Sequence, residues 1–97
     1  MIKFKEYFKR MCDENKRVFD EFQFIHDLYK DNKRANQVVF NEQGVIVRRV
    51  IEDWDRRLCS QMEKGKNSTY SARLSEKFWN EVRLRFPMID FVGATIS

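Results

Sequence analysis

A single histidine, His26, and two cysteines, Cys12 and Cys59, are the side chains of this 97-residue chain best suited to hold a metal or attack an electrophile. A metal site needs such groups clustered, and these are scattered. His26 follows Ile25 on a strongly periodic segment and is expected at its surface or boundary. Cys12 and Cys59 read as small side chains near a core, with no neighbouring feature that would favour the thiolate. Phosphate-cradling loops need several glycines close together, because backbone amides must approach the anion. Gly44, Gly65 and Gly93 stand singly. Asp53 and Asp55 would point to different faces of a helix, and the adjacent pairs Asp13–Glu14 and Asp20–Glu21 read as solvated charge. With no acid–base constellation in view, the expectation is a protein that is not an enzyme and takes no metal and no cofactor.

The basic residues make a second pattern. Between residues 64 and 85, Lys64, Lys66, Arg73, Lys77, Arg83 and Arg85 face only Glu76 and Glu81; six minus two gives +4, the formal net charge of the whole chain. The polar run Asn67–Tyr70 lies beside Arg73 and Lys77, which are one helical turn apart. Arg48 and Arg49 add charge nearby. Arg48, Arg49, Lys64, Lys66, Arg73 and Lys77 could therefore meet phosphates as a small nucleic-acid-binding surface. The competing reading is a solvated helix face, and the nearby aromatic residues are spaced for a core rather than for stacking on bases.

A third pattern lies at the start of the chain. Phe4, Phe8, Met11, Val18, Phe22, Ile25 and Tyr29 recur at alternating spacings of four and three, with Asn15 filling the one gap. This predicts a helix of about thirty residues, about 45 Å long. Asn15 sits where a polar residue fixes register in a coiled coil. A helix of that length outruns a compact remainder of the chain. Phe4, Phe8, Met11 and Asn15 are therefore the candidate partner-binding residues, for another protein or a second copy of this one.

The elements that position these groups turn on the stretch VVFNEQGVIV, residues 38–47. As a hairpin it has β-branched runs flanking a four-residue turn, with Gly44 supplying positive φ. As a helix it would carry five β-branched side chains and a glycine. Propensity favours the hairpin, over residues 37–41 and 45–50. Ile51, Trp54, Leu58 and Met62 then define a second helix ending at Gly65. Leu74, Phe78, Val82 and Phe86 define a third, capped by Ser71 or Ser75 and ended by Pro87. The tail MIDFVGATIS reads as a strand.

The expected architecture is α+β: one domain over residues 1–97, with helices packed on a small antiparallel sheet. The runner-up is an all-α three-helix bundle, should residues 38–62 form one helix. The apolar fraction of 42% excludes a disordered chain. No apolar run approaches the length of a membrane span. MIKFKEYFKRM lacks a signal-like apolar core, so a cytoplasmic setting with free thiols is expected. Function is expected to be protein binding, as a regulator, inhibitor or subunit, with nucleic-acid binding as the alternative.

Overall fold

The computed structural model describes residues 3–63 and 68–93, with side chains described over 4–60 and 73–93. Four helices follow one another: α1 (Lys3–Glu14), α2 (Lys16–Asp31), α3 (Lys33–Glu63) and α4 (Ser68–Arg85), then a 3-10 turn at Ile89–Phe91. No strand occurs among the described residues. The expected α+β fold is thus corrected to all-α. The hairpin over 37–41 and 45–50 and its antiparallel sheet are absent, residues 38–62 lie within the single helix α3, and the tail forms turns over 88–93, its residues 94–97 lying outside the described residues.

The reason is visible in the stripe that α3 buries. Gln37, Phe40, Gly44, Val47, Ile51, Trp54 and Leu58 are buried, at spacings of three and four throughout. The register of Ile51, Trp54 and Leu58 runs backward unbroken through the supposed turn. Four of the five β-branched residues that suggest strands, Val38, Val39, Val45 and Ile46, are exposed, Val38 at 68% and Ile46 at 47%, while Val47 joins the buried stripe. Intrinsic β-propensity is worth tenths of a kcal/mol per residue. Burying a Phe, Val or Ile in the core is worth about 1.5–3 kcal/mol each, so packing decides.

Gly44 serves approach rather than turning. Gly93, not Gly44, has positive φ among the described glycines. A Cβ on Gly44 would sit 2.5 Å from Cγ2 and 2.8 Å from Cγ1 of Val92. The missing side chain is the notch into which the C-terminal turn packs. That turn is also held by two hydrogen bonds. The Gly93 N–H donates to Asn41 Oδ1 at 2.8 Å, and the Met88 N–H donates to His26 Nε2 at 3.1 Å.

The first helix is present but kinked. Asn15 has φ −121° and ψ 31°, and it interrupts the helix for one residue. Its Nδ2 donates to the Met11 carbonyl at 3.0 Å, which also receives the Asn15 N–H. Such side-chain competition for the helix ladder is a recognised cause of bending. A single residue, Asn32, separates α2 from α3. Its N–H closes α2 on Leu28 O, and its Oδ1 caps α3 by accepting the Ala35 N–H. Further on, α4 begins at Ser68, ahead of both expected caps, and ends before Pro87 as expected.

α1 and α2 together form one kinked rod running antiparallel to α3. Along it Tyr7 meets Trp54, Phe22 meets Phe40 and Tyr29 stacks on Phe40 at 3.9 Å. α4 lies along the same rod through Phe8–Phe78 and Phe22–Phe86. The result is a three-rod bundle, the architecture of the runner-up. Its long axis of 46 Å matches the length of a 31-residue helix at 1.5 Å per residue.

The notch at Gly44 makes a prediction whose sign depends on background. Gly44→Ala gains about 1 kcal/mol of helix propensity but overpacks against stiff valine methyls, at about 1–3 kcal/mol. It should destabilise the native chain and stabilise a Val92→Ala chain, as read by urea denaturation of the four-membered cycle.

Candidate functional site

The candidate partner-binding residues divide on inspection. Met11 is fully buried within the chain, and Phe4 and Phe8 are half-buried against the same core. Phe8 packs edge-on to Phe78, with ring centroids 6.3 Å apart, and the Lys77 ammonium lies 5.9 Å over the Phe4 ring. Asn15 is half-buried at the kink. α3 runs the length of the rod, and α4 with its following turn covers it from Phe4 to His26, so the apolar stripe finds its cover inside one chain.

Two of the candidate basic residues, Arg48 and Lys77, do not share a face. Arg48 stacks 5.7 Å from the Trp79 ring centroid and lies 3.9 Å from Glu52. Lys77, at Phe4, is on the opposite, α1-facing flank of α4. Arg49, Arg73 and Lys77 are exposed, while Lys64 and Lys66 lie outside the described residues. Arg83 grips both oxygens of Asp90, at 3.0 and 3.4 Å. Arg85 bonds Gln23 at 3.1 Å and Asp20 at 3.2 Å, and covers Phe19 and Phe86. Two of the six cations between 64 and 85 therefore act as ties within the fold.

His26 is buried, not at the surface. The Met88 N–H can only donate, so Nε2 is the bare nitrogen. Nδ1 then carries the proton and donates to Asp27 Oδ1 at 3.2 Å. Phe22, Phe40 and Phe86 surround the ring. No group of His, Cys, Asp or Glu able to hold a metal occurs among the described residues. Burial raises the Cys12 thiol above its ordinary pKa, against the opposing effect of Arg85, which favours the neutral thiol. Asp55, read from sequence as an unremarkable acid, takes hydrogen bonds from Ser75 Oγ at 2.9 Å and Trp79 Nε1 at 3.3 Å. It ties α3 to α4.

What the sequence did not single out is the apolar surface of the α2–α3 pair. Phe24 is 66% exposed and Leu28 is 40% exposed, one turn apart on α2. A shallow groove of about 490 Å³ runs between Glu21, Phe24, Ile25 and Gln43. Val39 and Ile46 stand one turn to either side of Gln43 on α3 and continue its row; both are exposed. The signal was present as apolar residues left over once the buried stripes are removed. Another recess lies between α1 and α3, around Tyr7, Arg10, Trp54 and Arg57.

The chain matches no protein-family model, no curated protein and no solved structure. No helix among the described residues is long and apolar enough to cross a membrane.

Two outcomes follow. Met11→Ala should cost about 2–5 kcal/mol in urea denaturation and leave the sedimentation-equilibrium mass unchanged, because Met11 belongs to the chain's own core. Asp20 is held below its ordinary pKa of 3.8 chiefly by the Lys16 ammonium, and Asp27 chiefly by the His26 N–H. A lowered carboxylate pKa gives stability that is in place above the unfolded value and lost as pH falls through the folded one. Unfolding midpoints should therefore drop on acidification below about pH 4. The Asp20→Asn, Asp27→Asn double variant should be weaker at neutral pH and show a shallower drop.

Proposed function

We propose that the protein is a non-catalytic protein-interaction module that self-associates through the α2–α3 face. The observation that carries this reading is the row Phe24, Leu28, Val39 and Ile46, all exposed around one groove. Together they form an apolar patch on the order of a few hundred Å², the size at which monomer surfaces tend to be functional. A phenylalanine left in water forfeits about 1.5–3 kcal/mol, which a docked partner recovers.

A second copy fits this patch by charge. At the groove's rim Arg17 Nε and Glu21 Oε1 lie 3.4 Å apart on adjacent turns. A two-fold axis presents the same patch reversed, so each Arg17 can meet the Glu21 of the other chain, and like charges need not face each other. The nucleic-acid alternative draws on Arg49, Arg73 and Lys77, which are exposed. It loses support because Arg48, on α3, packs at Trp79 while Lys77 packs at Phe4 on the other flank of α4, and Arg83 and Arg85 serve the fold.

Sedimentation equilibrium beside circular dichroism tests the proposal. The wild-type chain should be a dimer. The Phe24→Asp, Ile46→Asp variant should be a monomer of unchanged helicity, since both side chains are exposed. A wild-type monomer at the highest attainable concentration would rule the proposal out.

A further inference from the structure

A surface cleft of about 440 Å³ lies between α1 and the C-terminal half of α3, lined by Tyr7, Arg10, Glu14, Trp54, Arg57 and Ser60. Its floor is aromatic. The Tyr7 and Trp54 rings meet edge-on, with centroids 6.0 Å apart and planes at 81°, and both residues are buried. Each ring carries a guanidinium. Arg10 Cζ lies 5.9 Å from the Tyr7 centroid, and Arg57 Cζ lies 5.1 Å from the Trp54 centroid.

Stacking on a ring engages the flat face of a guanidinium and leaves its N–H edge available. Contact with a ring also restricts the arginine side chain, so less freedom is lost when a ligand binds. Arg57 uses part of its edge on Asp53, Nη2 to Oδ2 at 2.8 Å. Arg10 is held by Tyr7 and makes no hydrogen bond or ion pair with any described side chain. Two guanidinium groups and the Ser60 hydroxyl thus line one recess, against one carboxylate, Glu14, among the described lining residues.

We propose that this cleft binds a small phosphate monoester, with Arg10 and Arg57 clamping the phosphate and Ser60 donating to a further oxygen. A phosphate monoester offers three acceptor oxygens and about two negative charges at neutral pH. That matches two forks and a hydroxyl better than a carboxylate does. The cleft falls in the range of about 300–1,000 Å³ typical of organic ligand sites, more space than a bare phosphate ion fills. The ring faces are already covered by the arginines, so recognition rests on the phosphate rather than on stacking of a base. This site lies on α1–α3, away from the α2–α3 face, and does not rest on the self-association reading.

Trp54 is a built-in reporter. The chain has two tryptophans, so Trp79→Phe, on the far flank of α4, leaves Trp54 as the sole indole. In that background the probes are ribose 5-phosphate and AMP, with inorganic phosphate and adenosine as comparisons. The two monoesters should change Trp54 fluorescence saturably, and adenosine should not. Arg10→Gln and Arg57→Gln should each weaken binding about tenfold or more. Arg10→Lys should also weaken it, because the charge stays but the fork is lost. Arg49→Gln, an exposed arginine elsewhere, should leave binding unchanged. Absence of saturable binding, equal affinity of adenosine, or full affinity in Arg10→Gln would overturn the site. Inorganic phosphate binding as tightly as both monoesters would overturn the assignment to an organic ligand.

Discussion

The length and register of α3 constrain everything else in this protein. A helix of 31 residues that buries every third or fourth side chain from Gln37 to Leu58 needs apolar cover along its whole length. The kinked rod of α1 and α2 supplies it on one side and α4 on the other. The two neighbours are then drawn together over Met11, Phe22, Phe78, Val82 and Phe86, all fully buried. The single-residue connection at Asn32 forces α2 and α3 to be adjacent and antiparallel. The bend at Asn15 lets the first rod follow its neighbours where a straight one would diverge.

Polar groups then specify how the rods are locked. Asp55 joins α3 to α4 through Ser75 and Trp79. Arg85 joins α4 to α2 through Asp20 and Gln23. The buried chain from Tyr29 OH to Gln37 to Asn41, with links of 2.9 and 2.8 Å, continues to the Gly93 N–H and reaches the C-terminal turn. His26 holds the same turn from the other side. Each tie satisfies a donor or acceptor that would cost about 1–3 kcal/mol if buried unpaired. Together they leave a rigid frame whose α2–α3 face keeps its apolar residues exposed. Surface association draws on such a frame, because less ordering entropy is lost on binding.

Much of this was legible in the sequence, and what was not has a physical reason. The first rod and the core positions Leu74, Phe78, Val82 and Phe86 follow from periodicity, and the helix stop at Pro87 follows from proline's restriction of the residue before it. Residues 38–50 were misread because adjacent β-branched pairs, Val38–Val39 and Val45–Ile46, outweighed a register that Ile51, Trp54 and Leu58 extend back to Phe40 and Val47. Gly44 looked like a turn because a close approach by Val92, 48 positions later, leaves no local trace. The N-terminal stripe is covered because the remainder of the chain is not globular: α3, at 31 residues, is as long as the first rod, and the shorter α4 lies alongside it. Of the candidate site residues, Arg48 and Lys77 were grouped by sequence proximity that the helical faces undo. The α2–α3 face and the α1–α3 cleft each combine residues far apart in sequence, and only the packed rods bring them together.

The continuity of α3 through Gly44 decides whether these surfaces exist. Backbone carbon chemical shifts across residues 33–60, measured by nuclear magnetic resonance, test it directly. An unbroken run of helical Cα shifts through Asn41, Glu42, Gln43 and Gly44, with sequential amide–amide contacts, is the result expected. Extended-chain shifts over 37–41 and 45–50, with cross-strand contacts between them, would contradict the bundle and remove both surfaces with it.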